Sequence, residues 1–401
     1  MLELLSLSKK VFGLEITDIN IRLMKLARRG GRLFVAAAGD AALEEDTVRD
    51  GFIRDEKKLS DAIRKLMARV AGGKKETRYA VVSLPETKSF LQVIAMPRLN
   101  PEELRAAVVF EAENYIPLPL EKVYLDFEKV ALAADNAPQC EVLVAALPKE
   151  IVDSRVRVID MAGLTPVAME LESQAVARAL REERDLKSPT MIIQIGDTKS
   201  NVIFYSRNSI RFTFSIPISN RYFVETIAAN AKVGAEQAEL LKSKCGIEEF
   251  ARAAGTGLPP AAENSEKRKI FEALIPGLVD FAQQIQKCAQ YYQTHEETAA
   301  VAEKKNFDKV FICGSGSNLK GLDEFLALKL GAPVEQVVLP IGIDGSISKK
   351  VNFLGDDAHG SATVAGLAIR ALGIESGAAE EPVPPAAAPK KTLRQKIKVN
   401  K

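Results

Sequence analysis

Three short turns, far apart in the chain, each follow an apolar, strand-like run, and each has the residue types needed to gather backbone N–H groups around a phosphate. Val11–Ile16 runs into Thr17-Asp18-Ile19-Asn20. Met191–Ile195 runs into Gly196-Asp197-Thr198-Lys199-Ser200, and Val310–Cys313 into Gly314-Ser315-Gly316-Ser317-Asn318-Leu319. Small or polar residues directly after a buried strand let N–H groups point into a common space, where an anion can sit. No single turn is specific; the ordered set predicts a two-lobed protein with a nucleotide cleft.

The elements that must position these turns are readable from periodicity. Phe12–Ile16, Ile21–Ala27 and Arg32–Ala38 suit a strand meander linked through Arg29-Gly30-Gly31. Glu56–Arg69 has helical spacing, and Tyr79–Ser83 reads as a buried strand. A different pattern follows. Phe90–Ile94 is a strand, and Asn100-Pro101-Glu102-Glu103 starts a helix that ends near Tyr115 at Ile116-Pro117-Leu118-Pro119. Asn100 suits the N-cap, Pro101 the first helical position, and the two glutamates the positive end of the dipole. Strands at Val123–Phe127 and Glu141–Ala146 and a helix at Lys149–Ala162 complete a small α/β module between Ser83 and Val167. Glu170–Arg184 reads as a helix returning to the first lobe. Beyond it come strands at Met191–Ile195, Ser200–Ser206 and Ser209–Pro217, then helices over Arg221–Leu241, Phe271–His295, Leu319–Leu330 and Ala362–Ala371.

Composition narrows the function classes. The chain has 401 residues, enough for two or more cored domains, with 55 Lys+Arg against 53 Asp+Glu. That balance argues against a dedicated nucleic-acid binder. The four cysteines, Cys140, Cys245, Cys288 and Cys313, form no CxxC pair, and His295 and His359 are the only histidines. Zinc and redox motifs therefore have no support, and a reducing compartment fits. No apolar run reaches the ~20 residues that span a bilayer, and the lysines of the N-terminus follow its apolar stretch, unlike a secretory signal. The reading is a cytoplasmic protein. Its end, residues 374–401, is a Pro/Ala tether followed by Lys390–Lys401, with six positive charges and no negative ones. Such a tail attracts anionic lipid or an acidic partner by ~1 kcal/mol per basic residue near a charged surface.

The stretch Leu84-Pro85, Met96-Pro-Arg-Leu99, Glu102-Glu-Leu104 and Glu111-Ala-Glu-Asn-Tyr-Ile-Pro-Leu-Pro-Leu-Glu-Lys-Val-Tyr-Leu-Asp126 resembles the type IV pilus assembly protein PilM family. So do Ala146–Glu150 and Ala162-Gly-Leu164. The resemblance runs from about Phe12 to Ala371. It implies an α/β, two-lobed, actin-like (ribonuclease-H-type) ATPase fold related to FtsA, with an inserted small α/β subdomain, called 1C. The corresponding division is 11–83 plus 165–188 for the first lobe, 84–164 for the inserted subdomain and 189–373 for the second lobe, with a 2B-like insertion at about 228–272. It implies a cytoplasmic adaptor at the inner face of the membrane, binding the N-terminal tail of the inner-membrane protein PilN, with ATP or ADP and Mg²⁺ as ligand.

Carried over residue by residue, the nucleotide site would comprise Glu15, Thr17, Asp18, Asn20 and Arg22 in the first loop and Gln194, Gly196, Asp197 and Thr198 in the second. Glu239 and Lys242 would lie on the purine side, with Gly314, Ser315, Gly316 and Asn318 in the third loop. The pattern departs from the family in its phosphate half. Glu15 stands for the metal-side aspartate, Thr17 for a glycine, and Asp18 and Ile19 for small polar residues. Gln194 replaces the second aspartate, for which Asp197 is a substitute. An unneutralised carboxylate–phosphate pair at ~4 Å costs on the order of 1–4 kcal/mol. A Mg²⁺ ion held by Glu15 and Asp197, with Asp18 assisting, would offset that. Loss of both aspartates should lower hydrolysis more than binding, and no residue stands out as a water-activating base. Glu239 and Lys242, three apart, read equally well as a surface ion pair.

For the partner groove the resemblance marks Glu111, Asn114, Tyr115, Ile116, Pro117 and Leu118, and Ile116→Asp is expected to weaken binding of a PilN-like tail. Other readings stay open on the residues alone: an active ATPase of the same fold, an FtsA-like membrane-tethered polymerising scaffold, and a type II secretion scaffold. Homo-oligomerisation is also open, as is membrane association, through a partner or through the basic tail.

Overall fold

The computed structural model describes residues 10–70, 78–130, 139–181, 189–247, 265–295, 307, 309–339, 341–343 and 358–376. The basic tail and residues 248–264 of the expected 2B-like insertion lie outside these residues.

Two sheets organise the chain. The first has six strands: β1 (Val11–Ile16), β2 (Asn20–Arg29), β3 (Arg32–Ala42), β6 (Tyr79–Leu84), β10 (Thr165–Leu171) and β16 (Ile341–Gly342), in the order β10-β6-β1-β2-β3-β16. The second has eight: β7 (Phe90–Pro97), β8 (Val123–Val130), β9 (Gln139–Pro148), β11 (Thr190–Ile195), β12 (Ser200–Ser206), β13 (Ser209–Ile216), β14 (Lys309–Cys313) and β15 (Val334–Gln336), in the order β15-β14-β11-β12-β13-β7-β9-β8. A hairpin of β4 (Val48–Arg49) and β5 (Phe52–Ile53) stands apart. The helices are α1 (Glu56–Val70), α2 (Pro101–Ala112), α3 (Lys149–Met161), α4 (Glu172–Arg181), α5 (Asn220–Ala231), α6 (Ala235–Cys245), α7 (Ser265–His295), α8 (Leu322–Leu330) and α9 (Ala362–Glu375).

The loop-bearing strands β1 and β11 are buried along their whole length, and β14 along all but its first residue. Continuous apolar runs of this kind suit strands covered on both faces. The β2–β3 turn is tight because Gly30 and Gly31 both take positive φ, +55° and +78°. At α2 the Asn100 side chain accepts the Glu103 N–H at 2.9 Å, as the capping pattern predicts.

Three expectations are corrected. The helix read as starting at Glu170 starts at Glu172, because Thr165–Leu171 is a strand. That strand pairs in parallel with β6 through a bulge between Pro166 and Ala168, which accommodates the proline in an edge strand. The helix over Arg221–Leu241 is two helices, because Lys232 caps α5 in the left-handed region at φ +56°. Finally, β16 and α9 fall within 189–373 but pack on the first sheet.

The inserted module also crosses over. It enters and leaves the chain between strands of the first sheet, yet its strands continue the second. β7 meets β13 at Gln92 and Phe212, and the joint is reinforced by a bidentate Arg211–Glu141 pair at 2.7 and 2.9 Å.

Two glycines seat α9. A Cβ at Gly13 would sit 2.6 Å from the Ala368 nitrogen, and one at Gly366 would overlap the carbonyl of Ala175 in α4. Glu170, 1% exposed, accepts from Arg178 and from Arg370 at 2.7 Å, tying β10, α4 and α9 together. This seating delivers Thr363, at the start of α9, to the facing ends of β1 and β11.

A charged cleft between the two sheets

The three turns do converge. Glu15, Thr17, Asp18, Arg22, Gln194, Gly196, Asp197, Thr198, Gly314 and Ser315 line one cavity, whose volume is about 70 Å³. Asn20 reaches it by donating to Asp197 at 3.0 Å. Gly316 is buried against Ile195, and Asn318 ends the same short turn, so the small residues of the third loop serve close packing on β11. Glu239 and Lys242 do not line the cavity. Lys242 is fully buried and pairs with Glu239 at 2.6 Å and with Asn220, so only the glutamate end is at the surface.

The first loop satisfies itself. The Thr17 hydroxyl accepts the N–H groups of Ile19 and Asn20 at 3.3 and 3.1 Å, and the Thr17 N–H donates to the Asn20 carbonyl at 2.9 Å. The Asp18 carboxylate accepts the N–H groups of Asp50 and Gly51 at 3.1 and 3.0 Å. In the second loop the Gly196 N–H donates to the Lys199 carbonyl at 2.9 Å. These contacts take up several of the N–H groups with which the turns could hold a phosphate.

Charge fills the remaining space. The Arg22 guanidinium lies between Glu15 at 3.5 Å and Asp197 at 3.3 Å, with all three side chains nearly buried. Burial works against charge on Arg22, but the two carboxylates outweigh it and hold it protonated. Burial also pushes the Glu15 carboxyl above the usual range, with Arg22 opposing. Lys199 bridges Asp50 at 3.0 Å and Thr87 at 3.2 Å, and Gln194 donates to Thr363 at 2.8 Å.

Sequence reasoning missed Lys199, Glu86, Thr87, Glu172, Arg155 and Thr363. Arg155 left a signal: it interrupts the apolar face Ile151, Ser154, Val158 and Ile159 of α3. It is fully buried and donates to the Gly51 carbonyl at 3.0 Å, while its Nε and Nη2 have no hydrogen-bond partner. Burial brings it down to about 10, against the pull of Glu172 and Asp18. Glu86 is buried, accepts from Thr213 at 2.7 Å and from the Ser173 N–H at 3.4 Å, and is pushed up by its burial.

Glu172 opens α4 at the cavity wall. Burial, then the charges of Glu15 and Glu86, push it up to about 8 against the opposing pull of Arg155. The folded protein therefore keeps this proton while an unfolded glutamate loses it. Stability from this group is complete below about pH 4.5, falls as pH rises, and levels off above about 8. Glu172→Gln should flatten the decline between pH 5 and 8 by at most ~1.4 kcal/mol per pH unit. Urea unfolding of both proteins across that range checks it; parallel curves would contradict the assignment.

The site does not fit a magnesium–triphosphate. Its free interior, about 70 Å³, lies below the ~300–1,000 Å³ usual for ligand pockets. The metal pair expected of Glu15 and Asp197 has a guanidinium between its members, and Asp18 is already bound by two N–H groups. Among the described residues no three His, Cys, Asp or Glu side chains converge as metal ligands.

Comparison with known proteins decides the family. The model described as type IV pilus assembly protein PilM matches residues 13–372. This chain belongs to the PilM family. A solved PilM–PilN type IV pilus biogenesis complex contains a chain similar over 91% of this one and 99% of its own length, with 22% identity and a TM-score of 0.73. MreB5 of Spiroplasma citri bound to ADP is similar over 92% and 98%, at 14% identity and a TM-score of 0.54. The fold is the actin-like ATPase fold. Within this PilM-family fold the marked partner residues separate by exposure. Asn114, Tyr115, Pro117 and Leu118 are exposed and Glu111 is half-buried. Ile116 is 7% exposed and packs in the module core, which corrects its placement on a binding surface. Among the described residues no helix is long and apolar enough to cross a membrane.

Proposed function

We propose that this PilM-family chain is a cytoplasmic adaptor of a type IV pilus assembly machine, gripping the N-terminal tail of a PilN-like inner-membrane protein through its inserted module. The observation that carries this reading is an apolar set left uncovered at the end of α2. Val109 is 40% exposed, Phe110 74%, Tyr115 45% and Leu118 39%. Exposed apolar groups in one short stretch mark an interaction surface more readily than isolated ones do. Glu102, Glu103 and Glu113, also exposed, supply a polar margin. An extended or helical peptide can set apolar side chains on such a surface. The likeness to a chain of a PilM–PilN complex supports the partner class. The Arg22 guanidinium set between Glu15 and Asp197 disfavours the ATPase reading, since phosphoryl transfer depends on placed metal and charge neutralisation.

Calorimetric titration with a peptide of the PilN-like tail tests it. Phe110→Asp should weaken binding by roughly thirtyfold or more, the effect of losing an interface anchor of about 2 kcal/mol. Unchanged affinity in the folded variant would remove α2 from the interface.

A further inference from the structure

The contacts that consume the cleft are not confined to either lobe. Asn20 and Arg22 of β2 reach Asp197 at 3.0 and 3.3 Å. Asp18 accepts from Thr198 at 3.4 Å, Asp50 pairs with Lys199 at 3.0 Å, and Gln194 donates to Thr363 at 2.8 Å. Each of these joins the first sheet, its loops or the α9 helix packed on it to the loop and strand end at 194–199. Between the two facing turns, where a bound polyanion and its cation would bridge the lobes, the chain has placed its own cation and its own carboxylates.

We infer that Arg22, held between Glu15 and Asp197, is an internal clamp that keeps the two lobes closed without a nucleotide. The geometry is self-consistent. One guanidinium serves two carboxylates, which without it would be like charges in a nearly dry site. Thr17 gives the first loop a hydroxyl that accepts the N–H groups a phosphate would take. The arrangement rests on the cleft alone and is independent of the partner surface on α2.

The full chain tests this by amide hydrogen exchange and thermal unfolding. With Arg22→Ala, exchange in peptides covering 17–22 and 194–201 should rise by roughly tenfold or more as the lobes part, while α2 keeps its protection. Asp197→Asn, which keeps the oxygen acceptor and loses the charge, should do the same to a smaller degree and remains informative if Arg22→Ala does not fold. Millimolar ATP·Mg²⁺ or ADP·Mg²⁺ should leave the wild-type midpoint and exchange pattern unchanged. The inference is overturned if nucleotide raises the wild-type midpoint by roughly 2 °C or more. It is equally overturned if both variants exchange as the wild type does.

Discussion

Gly366→Ala should cost about 3 kcal/mol of stability, at the upper end of what overpacking one methyl does. The added Cβ would overlap the Ala175 carbonyl where α9 crosses α4, and a backbone carbonyl cannot rotate away as a side chain does. Neighbours offer no relief. Ala362, Thr363, Val364, Ala365, Leu367, Ala368 and Ala371 of the same helix are buried, and Gly13 meets α9 from β1 at the next point of contact. Shifting α9 would also withdraw Thr363 from Gln194, so the cleft should loosen along with the fold. Gly234→Ala is the control. It has no positive φ, and nothing lies within 4 Å of its added Cβ, so only the weaker capping of alanine, about 0.5–1 kcal/mol, is expected at this N-cap. Urea unfolding of the two variants should separate them clearly. Equal midpoints would mean that α9 is not closely seated on α4.

Ile116→Asp should unfold the inserted module rather than merely weaken a contact. Ile116 packs with Ile94, Leu104, Val108, Val123 and Val144, all buried. A carboxylate there has no partner, and burying it unpaired costs several kcal/mol, on the order of the 3–5 kcal/mol seen when a buried charge loses its counterion. Proteolysis within 84–164 should accelerate strongly, and partner binding should vanish as a consequence. Phe110→Asp, at a position 74% exposed, should leave proteolysis unchanged while weakening binding by the roughly thirtyfold given above. An Ile116→Asp protein as stable as the wild type would contradict its place in the core. The pair distinguishes a residue that builds the surface from one that forms it.

Much of the architecture was legible because it is written in local patterns. The apolar runs ahead of Thr17, Gly196 and Gly314 gave three strands whose ends meet, and Asn100-Pro101 gave the start of α2 to the residue. The family signature around Glu111–Asp126 anticipated a match that spans 13–372. The polar and charged residues at Thr17, Asp18 and Gln194 were legible as cleft residues, and each lines the cavity. Ile116 and Lys242 were misplaced because one side of an element cannot be told from the other without knowing what packs against it. Ile116 reads as a projecting apolar residue after a helix, and Lys242 as half of an exposed pair; their neighbours bury both.

The sequence alone thus determined which strands carry the cleft loops and which family they serve. Tertiary structure decided what the cleft residues accomplish. Arg22, Asp50, the 194–199 segment and Thr363 are far apart in the chain, and no spacing rule relates them. Only when the α9 seat at Gly13 and Gly366 and the two sheets bring their ends together does Arg22 meet Asp197, Lys199 meet Asp50 and Gln194 meet Thr363. Charge pairing depends on distance in space and on loss of water, and neither is encoded in local sequence order.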